Sequence, residues 1–408
     1  MNDNGKTIIV KLIAIVAIIS AIALGYYLIN HREQGSLLHI QHNYVQVIPS
    51  GEIKDDSSTT NKPILEDADI IYNTEFGGIN VDISIEDFNA LGFKFGDSVD
   101  IEFSNGYTLE DIPYYNGYYV NYGDTLVVGY PGYERIRIGE NFGEDLWQIG
   151  NLNGDEKCTI TLNEAEKYLD TQEARNIQYS DIQEDIPDEI FANFRPMNVG
   201  NLKENIIYRG ASPIDNLHNR APVVDRLIKR EGIKFIIDLA DDENEVATFK
   251  SGDTFNSPYF VELCENGNVV LLNLEAYFKS EKYINGLVHG YTEMSKHDGP
   301  YYIHCQEGKD RTGYVCMVIE MLTGASYDEI EADYMKTYDN YYGITKESDF
   351  EKYEVIKNQN LAEMLKNVIN DDNVDAKTAD LQKYAEEYLL RIGMKAEDIS
   401  ALRQKLEK

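Results

Sequence analysis

The order of hydrophobic and polar residues divides the 408-residue chain into four stretches of different character. An almost unbroken apolar run occupies residues 12–29, and a polar stretch without a clear period follows to residue 65. Apolar and polar residues then alternate over short runs to residue 172, and from there such runs alternate with apolar positions three and four apart. The first spacing is typical of strands and the second of helices. The pattern predicts a hydrophobic helix (1–30), a linker (31–65), a small all-β domain (66–172) and an α/β domain (173–408).

Residues 12–29 have the composition of a membrane-spanning helix and a length near its lower limit. No polar face interrupts the run, whereas a buried helix of a soluble protein usually has one. Lys6 and Lys11 precede the run and only Arg32 follows it closely, which favours a cytoplasmic N-terminus with the rest of the chain outside. We therefore expect a chain anchored in the membrane by one N-terminal helix. Cleavage of a signal peptide at the small-x-small sequence of residues 21–23, followed by secretion, is the alternative.

The predicted β domain contains short runs between Gly, Asn and Asp turns, among them NVDISI, DSVDIEFS and DTLVVGY. Its Asn116-Gly117 pair is flanked by tyrosines, and this pattern favours a β-hairpin. We expect a small barrel or sandwich that acts as a spacer or positions a substrate, with a ligand site on its tyrosine-rich surface as the alternative. Residues 77–150 also faintly resemble the small C-terminal β domain of S-adenosylmethionine hydroxide adenosyltransferases, whose catalytic half has no counterpart in this sequence.

In the C-terminal half, the apolar runs at residues 235–239, 269–274 and 301–304 predict buried strands. Helical spacing in residues 283–294 predicts a helix that crosses to the last of these strands. Strands that alternate with helices predict a parallel central sheet with helices on both faces, and such sheets bind ligands at the carboxyl ends of their strands. Helical spacing continues towards the end of the chain, over residues 328–338, 350–369, 378–391 and 399–406.

The composition restricts the partners. The chain carries 71 acidic and 37 basic residues, so its formal charge is 37 − 71 = −34. Proteins bind nucleic acids through basic surfaces, and we therefore expect no nucleic-acid partner. Any anionic ligand must bind at a local positive site. The cysteines match no zinc spacing and are too few for a disulfide scaffold; they are Cys158, Cys264, Cys305 and Cys316.

Candidate chemistry is concentrated in the sequence YYIHCQEGKDRTG at residues 301–313. It predicts an apolar strand, a tight loop and a helix whose C-terminal cap is Gly324. A loop that leads into a helix N-terminus is an anion site, because backbone N–H groups and the helix dipole favour negative charge. Arg311 adds a planar fork that can hold two phosphate oxygens. Cys305 lies in the same positive site, so its thiol should ionise easily and act as a nucleophile.

The loop sequence resembles the phosphate loop of cysteine-dependent phosphatases, through His304-Cys305 and Gly308-Lys309-Asp310-Arg311-Thr312-Gly313. It resembles in particular the bacterial tyrosine-phosphatase-like family, whose loop reads HCxxGKDRTG and which also includes enzymes acting on phosphoinositides. The resemblance extends over about residues 188–408, through NFR at 193–195, YRGAS at 208–212 and the C-terminal helices. The family usually has an arginine after its Asp-Leu pair, where this chain has Ala240.

The resemblance implies an enzyme, a cysteine-dependent phosphatase, in which Cys305 attacks phosphorus and forms a phosphocysteine. Arg311 would hold the equatorial oxygens of the phosphoryl group, and Thr312 would hydrogen-bond the thiolate. The other predicted phosphate-binding residues are Gln306, Glu307, Gly308, Lys309 and Gly313, with His304 in a supporting role. We expect no metal or other cofactor, because Cys305 and Arg311 supply what metal ions supply in other phosphatases.

A general acid must protonate the leaving oxygen. In the best-known tyrosine phosphatases an aspartate on a separate Trp-Pro-Asp loop does so, but the single tryptophan of this chain, Trp147, lies in the predicted β domain. Asp310, within the phosphate loop, is therefore the first candidate, and the resemblance supports it. Asp241 and Asp242, which follow the predicted strand at 235–239, are the second candidates.

The loop also bears on the substrate. Lys309 raises the positive potential and suits anionic lipid headgroups or inositol phosphates, whereas Glu307 opposes a polyanion. We therefore expect a protein-tyrosine phosphatase whose partners are its phosphorylated substrate and, through the N-terminal helix, the membrane. The alternatives are a phosphoinositide or inositol-phosphate phosphatase, a phospho-ligand binding module without turnover, and a redox sensor that uses Cys305.

Overall fold

The structure, a computed structural model, describes residues 62–73, 78–121, 123–141, 143–177, 186–274, 278–371 and 373–408. The predicted hydrophobic helix at 12–29 and nearly all of the predicted linker lie outside these residues. Within the described ranges, no helix is both long enough and apolar enough to cross a membrane. This finding corrects the predicted fold class, which began with a membrane helix, and the predicted localisation, because a membrane anchor is not supported.

Seven strands close into a barrel in the N-terminal part of the described chain. They are β1 (Ile64–Tyr72), β2 (Ile79–Val81), β3 (Ser98–Phe103), β4 (Thr108–Tyr115), β5 (Thr125–Val128), β6 (Arg137–Glu140) and β7 (Lys157–Glu164). Their order around the barrel is β1-β2-β6-β5-β4-β3-β7, and the short helices α1 (Ile85–Ala90) and α2 (Leu146–Ile149) connect strands. Aromatic rings fill the interior: Phe88 stacks on Phe93 with ring centroids 4.2 Å apart and meets the edge of Tyr114 at 5.1 Å.

The predicted hairpin at Asn116-Gly117 is wrong, because β4 and β5 pair in parallel with Tyr114 opposite Val127. Parallel neighbours cannot be joined by a two-residue turn. The Asn116 amide instead accepts a hydrogen bond of 2.7 Å from Gln172 Nε2, and the Asn116 N–H donates to Gln172 Oε1 at 3.2 Å. This pair ties the barrel to helix α3 (Leu169–Arg175), which follows β7.

The α/β part has a five-stranded sheet in the order β11-β10-β12-β9-β8. Its strands are β8 (Arg195–Pro196), β9 (Ile207–Gly210), β10 (Phe235–Asp238), β11 (Val269–Leu271) and β12 (Tyr301–His304). Four strands are parallel, and β8 pairs antiparallel at one edge. Neighbouring residues of a strand point to opposite faces. Phe235 and Ile237 accordingly pack in one hydrophobic core and Ile236 in another, so both faces of the sheet are covered.

Helices surround this sheet and continue to the end of the chain. They are α4 (Asp188–Phe191), α5 (Ala221–Arg230), α6 (Glu243–Lys250), α7 (Pro258–Glu265), α8 (Glu281–Lys296), α9 (Asp310–Leu322), α10 (Tyr327–Tyr342), α11 (Phe350–Ile356), α12 (Ala362–Ile369), α13 (Leu381–Arg391) and α14 (Ala396–Leu406). The helices predicted from helical spacing are thus confirmed, with a π turn (Lys357–Leu361) between α11 and α12. Helix α9 is buried on all sides after its first two residues, as its apolar sequence requires.

The barrel and the α/β part belong to one compact unit, which comprises residues 63–130 and 135–408. Helix α3 makes the connection: Thr171 Oγ1 accepts a 2.7 Å hydrogen bond from Gln359 Nε2, and the Arg175 guanidinium donates to the Asn360 side-chain oxygen. The proposed boundary between residues 172 and 173 falls within this helix and stays a prediction.

Candidate active site

The phosphate loop, residues 305–309, joins the central strand β12 to helix α9. β12 lies between β10 and β9, and all four of its residues are buried. The loop therefore begins at the carboxyl end of a parallel strand, where open α/β sheets bind ligands. It ends at the N-terminus of a thirteen-residue helix, whose dipole and free N–H groups favour an anion. Gly313, in the first turn, donates its N–H to the Lys309 carbonyl at 2.7 Å.

The carbonyl oxygens of the loop are held by the surrounding protein. The Ser212 N–H donates to the Gln306 carbonyl at 3.0 Å, and the Tyr341 hydroxyl donates to the Glu307 carbonyl at 2.8 Å. Arg209 Nη2 donates to the Gly308 carbonyl at 3.2 Å. Because these contacts engage the negative ends of the loop peptides, we infer that the positive ends, the N–H groups, are left for the ligand. The Gln306 side chain donates to Asp215 Oδ2 at 2.6 Å, outside the loop.

A buried network of ion pairs supports the loop through contacts to the Gly308 carbonyl. Asp333 of α10 pairs with Arg195 (Nε to Oδ1, 2.8 Å) and with Arg209, whose side chain is only 1% exposed. Burial by itself would raise the pKa of the Asp333 carboxyl, but the two guanidinium groups hold it well below its usual range. Arg195 also donates to the side chain of Asn193, and the Asn193 amide lies 3.4 Å from the Gly308 carbonyl.

These supporting residues belong to the NFR and YRGAS sequences, whose role in holding the loop was not predicted. Asn193 and Arg195 come from the first, and Arg209 and Ser212 from the second. The sequence does indicate a buried ion pair here, because both arginines lie in or beside apolar runs and a buried arginine requires an acidic partner. The sequence does not indicate that this partner is Asp333, since Asp333 lies 138 residues from Arg195.

Cys305 lies at the floor of the loop and is 4% exposed. Burial raises the pKa of a thiol, yet the Arg311 charge and the neighbouring Thr312 hydroxyl and N–H groups together bring the Cys305 pKa below its ordinary value. In contrast, burial raises the pKa of Cys264 to about 11 and that of Cys316 to about 12. Of the four cysteines, all unpaired, Cys305 is therefore the one whose thiol ionises most readily.

Arg311 lies close enough to Cys305 for its charge to lower the pKa of the thiol. Its Nη1 donates a 2.9 Å hydrogen bond to the Leu274 carbonyl, which fixes the plane of the guanidinium. A guanidinium held by one nitrogen still has further N–H donors for a phosphoryl group. The structure thus brings together Cys305, Arg311 and Thr312 on one loop and the helix turn that follows it.

The positive charge of Lys309 is largely compensated within the loop. Its Nζ lies 3.6 Å from Glu307 Oε2 and 3.7 Å from Asp310 Oδ2. Burial of Lys309 by itself would lower its pKa, but the neighbouring carboxylates, Asp310 first, raise the pKa well above its ordinary value. Lys309 is therefore charged and paired, so that it holds the loop together more than it adds net positive potential for a polyanion.

Gly308 adopts a left-handed conformation (φ 70°) directly over Gly210 of β9. A Cβ at this position would overlap the Gly210 carbonyl group. We expect Gly308→Ala to lower aryl phosphate turnover by at least about tenfold, because displacing the loop misplaces the reacting groups. It should also lower the free energy of unfolding by about 2–4 kcal/mol, through positive-φ strain and the clash.

Gly232 provides the matched control for this substitution. It has nearly the same conformation (φ 64°), and a Cβ there would meet nothing within 4 Å. Gly232→Ala should therefore cost only the conformational strain of about 1 kcal/mol and leave turnover intact. Urea unfolding and turnover assays of both variants check the prediction, and equal losses for the two would contradict it.

The three predicted aspartates lie in different environments. Asp242 is the N-cap of α6: its carboxylate accepts hydrogen bonds from the N–H groups of Asn244 and Glu245, and Glu245 completes a capping box. Asp241 is 6% exposed, lies close to Asp238, and has a carboxylate oxygen without a hydrogen-bond partner. Asp310 is partly exposed in the first turn of α9. The structure thus gives Asp242 a structural role and leaves Asp241 and Asp310 as candidates.

His304 lies behind Cys305, completely buried, with its Nδ1 3.3 Å from the Cys305 carbonyl and its Nε2 3.7 Å from Asp238 Oδ2. Burial lowers the pKa of His304 to about 4. Burial also raises the pKa of Asp238 to about 7 and, with the nearby Asp238 charge, that of Asp241 to about 8. Over the intervening pH range the cluster therefore keeps its protons on the carboxyls and stays electrically neutral.

This cluster predicts a dependence of stability on pH. A carboxyl whose pKa is raised by folding stabilises the fold fully below its unfolded value, near pH 4, and that stability is lost as the pH rises towards the folded value. We therefore compare the free energies of unfolding of Asp241→Asn and the parent protein. The value for the variant minus that for the parent should be larger at pH 8.5 than at pH 5, by on the order of 2 kcal/mol. The lowered pKa of His304 acts in the opposite direction, with loss on acidification, but it is common to both proteins.

Urea unfolding at several pH values measures this difference directly. Asp242→Asn is the control, since the pKa of Asp242 is lowered by the N–H groups that it caps and asparagine caps helices equally well. A parent protein and an Asp241→Asn variant with parallel stability profiles from pH 5 to 8.5 would show that the Asp241 carboxyl titrates normally.

A cavity of about 260 Å³ opens beside the loop at Asp310. Its walls come from the π turn and α12 on one side and from barrel residues on the other, including Tyr118 and Asn121. Within the described part of the chain, no group of three or more His, Cys, Asp or Glu side chains is arranged to hold a metal ion. The expectation of metal-free chemistry stays a prediction.

A crystal structure titled as an uncharacterized conserved protein from Thermotoga maritima is similar over 28% of this chain and 42% of that chain, with 20% identity and a TM-score of 0.21. The chain thus matches less than half the length of that protein. No curated protein matches the chain. A model of the tyrosine phosphatase family matches residues 191–408, more than half of the chain and all of the loop around Cys305. The chain therefore belongs to the tyrosine phosphatase family.

Proposed function

We propose that the chain is a cysteine-dependent protein-tyrosine phosphatase that works through a phosphocysteine. The observation that carries the proposal is the Cys305 thiol, whose pKa is lowered by Arg311 and Thr312 at the start of the phosphate loop. A thiolate within an anion-binding loop can attack a bound phosphoryl group without a metal ion. The family membership supports the reaction class, and the loop geometry supports the nucleophile.

The first half-reaction transfers the phosphoryl group to sulfur. Cys305 Sγ forms the S–P bond while the bond between phosphorus and the tyrosyl oxygen breaks. In the enzyme form whose Asp310 carboxyl is protonated, that carboxyl gives its proton to the leaving oxygen. Arg311 and the loop N–H groups stabilise the negative charge on the three equatorial oxygens of the loose transition state. The ordered loop supplies this stabilisation without reorganisation, because its carbonyls are already held by Ser212 and Tyr341.

The second half-reaction returns the enzyme to its starting state. Water attacks phosphorus, its proton passes to the Asp310 carboxylate, and the S–P bond breaks with the electron pair on sulfur. The interaction with Thr312 that lowers the pKa of Cys305 in the free enzyme also makes the sulfur a better leaving group. Orthophosphate then leaves the loop.

The charge of the loop supports a singly phosphorylated substrate. Lys309 is paired with Glu307 and Asp310, which leaves Arg311 as the main source of positive charge for the ligand. A ligand with several phosphates would bring these two carboxylates close to further negative charge. This favours phosphotyrosine over multiply phosphorylated inositols.

A comparison of substrates tests the proposal. We expect kcat/KM for a phosphotyrosyl peptide to exceed that for the same peptide with phosphoserine by about 100-fold or more, because the shorter side chain cannot bring its phosphate to the buried thiol as well. Soluble inositol phosphates should also be poorer substrates. Preferential hydrolysis of an inositol phosphate over the phosphotyrosyl peptide would overturn the assignment, while leaving the phosphocysteine chemistry intact.

A further inference from the structure

We propose that the β-barrel forms one wall of the substrate site and that the groove between it and the phosphatase domain binds the polypeptide segment next to the phosphotyrosine. The proposal rests on the proposed function and extends it to a part of the chain outside residues 191–408, which the family match covers. Its starting point is the cavity at Asp310, because this cavity is lined by the residue that directly follows the phosphate loop and has walls from both parts of the molecule.

The cavity continues along the barrel. A second cavity, of about 460 Å³, shares five lining residues with the first and extends over β4 and β5 to Tyr115 and Thr125. The shared residues are Val120, Asn121, Arg175, Gln359 and Asn360. The shared walls place the two cavities next to each other along the barrel, and together we call them the barrel groove. A binding surface that extends along the barrel as far as Asp310 suits an extended chain better than a compact headgroup.

The chemistry of the groove fits a peptide. Five of the thirteen residues that line the first cavity carry amide side chains; they are Asn121, Asn141, Gln359, Asn360 and Asn367. Amide groups donate and accept hydrogen bonds, as the backbone of a bound peptide does. The formal charges of the residues that line the first cavity cancel: Arg175 and Lys279 are basic, and Asp310 and Glu363 are acidic. A polyphosphorylated ligand requires an excess of positive charge, which this lining does not provide.

The walls are fixed before a substrate binds. Asn141 Nδ2 donates to the Val120 carbonyl at 2.8 Å and so holds the barrel side. On the opposite side, Asn360 donates to the Tyr338 hydroxyl at 2.7 Å and accepts a hydrogen bond from Arg175. A preorganised groove loses little freedom on binding, so its contacts contribute to affinity. Helix α3, which carries Arg175, therefore holds the barrel in the position that the groove requires.

Asn121 is the best site for a test, because it lines both cavities and its side chain is exposed. Asn121→Trp should obstruct the groove and lower kcat/KM for a phosphotyrosyl peptide about tenfold relative to p-nitrophenyl phosphate, mainly through KM. The peptide should carry at least five residues on each side of the phosphotyrosine, so that it enters the groove in either direction. The matched control is Glu102→Trp, an exposed position on β3 that lines neither cavity.

A second variant changes charge without adding bulk. Asn121→Asp should raise KM for a peptide rich in Asp and Glu about threefold more than for a neutral peptide, as expected for one unfavourable charge contact near the surface. Binding of both peptides to these variants in the Cys305→Ser background separates affinity from turnover. Circular dichroism of each variant verifies that the fold is retained.

The outcomes distinguish this proposal from the proposed function. Loss of peptide selectivity in Asn121→Trp, with Glu102→Trp unchanged, supports the barrel groove. Full peptide turnover in Asn121→Trp overturns the groove and leaves the phosphatase assignment intact. A parent protein that hydrolyses neither substrate overturns the proposed function itself. If the variant affects hydrolysis of a soluble inositol phosphate and not that of the peptide, the assigned ligand class is wrong.

Discussion

Cys305→Ser is expected to lower the turnover of p-nitrophenyl phosphate by about 10⁴-fold or more, while inorganic phosphate or vanadate still binds. The serine hydroxyl does not ionise near neutral pH, and the Arg311 charge that lowers the thiol pKa cannot make it do so. The loop contacts to Ser212, Arg209 and Tyr341 are made by the backbone of residues 306–308 and remain. Binding without turnover is therefore the expected phenotype.

Cys264→Ser is the matched control for this substitution. Burial raises the pKa of Cys264 to about 11, so its thiol is protonated at neutral pH and its replacement should leave turnover unchanged. Turnover assays, together with titration of phosphate binding, compare the two variants. Substantial turnover in Cys305→Ser would show that another group attacks phosphorus, and loss of phosphate binding would show that the loop had collapsed.

The rates of alkylation of Cys305 and Cys264 give a second measure of the difference between their thiol pKa values. At pH 6, iodoacetamide should modify Cys305 much faster than Cys264, because only the thiolate reacts. Bound phosphate should protect Cys305 by occupying the loop. Mass spectrometry after timed exposure measures both effects. It also tests the redox alternative, since a disulfide between Cys305 and another cysteine after mild oxidation would support a sensor.

The sequence alone was sufficient to predict the phosphate loop, because the geometry of this loop depends on residues that are close in the sequence. Strand β12, the loop and helix α9 follow one another within residues 301–322, and their turn, anion site and helix start depend on neighbouring residues. The helical spacing of the C-terminal segments was informative for the same reason. The role of Asp242 was also readable in principle, since Asp242 and Glu245 have the spacing of a capping box.

The features that sequence reasoning missed depend on distant parts of the chain. Arg195 and Arg209 form ion pairs with Asp333, which lies more than 120 residues away in the sequence. The spacing of the two arginines does not indicate which acidic residue is their partner. The Asn116-Gly117 pair has the local preference for a turn, but barrel closure places β4 and β5 in parallel and overrides it. The barrel groove exists only because helix α3 docks against the π turn.

Asp310→Asn is expected to lower kcat for a phosphotyrosyl peptide by about 10²–10³-fold, which is the usual contribution of a general acid. p-Nitrophenyl phosphate should lose much less, because its leaving group needs little protonation. This dependence on the leaving group separates the loss of an acid from general damage to the loop. Asp310 is suited to the role by position, since it lies in the first turn of α9, directly after the phosphate loop, and lines the first cavity of the proposed barrel groove.

Asp242→Asn and Asp241→Asn complete the experiment as matched controls. Asp242→Asn should retain both activities, because asparagine caps a helix as well as aspartate does. Asp241 lies with His304 and Asp238 behind the loop, so its replacement should change stability with pH and not the dependence on the leaving group. If Asp241→Asn shows that dependence and Asp310→Asn does not, the proton comes from the buried cluster, and the loop then provides only the nucleophile and the anion site.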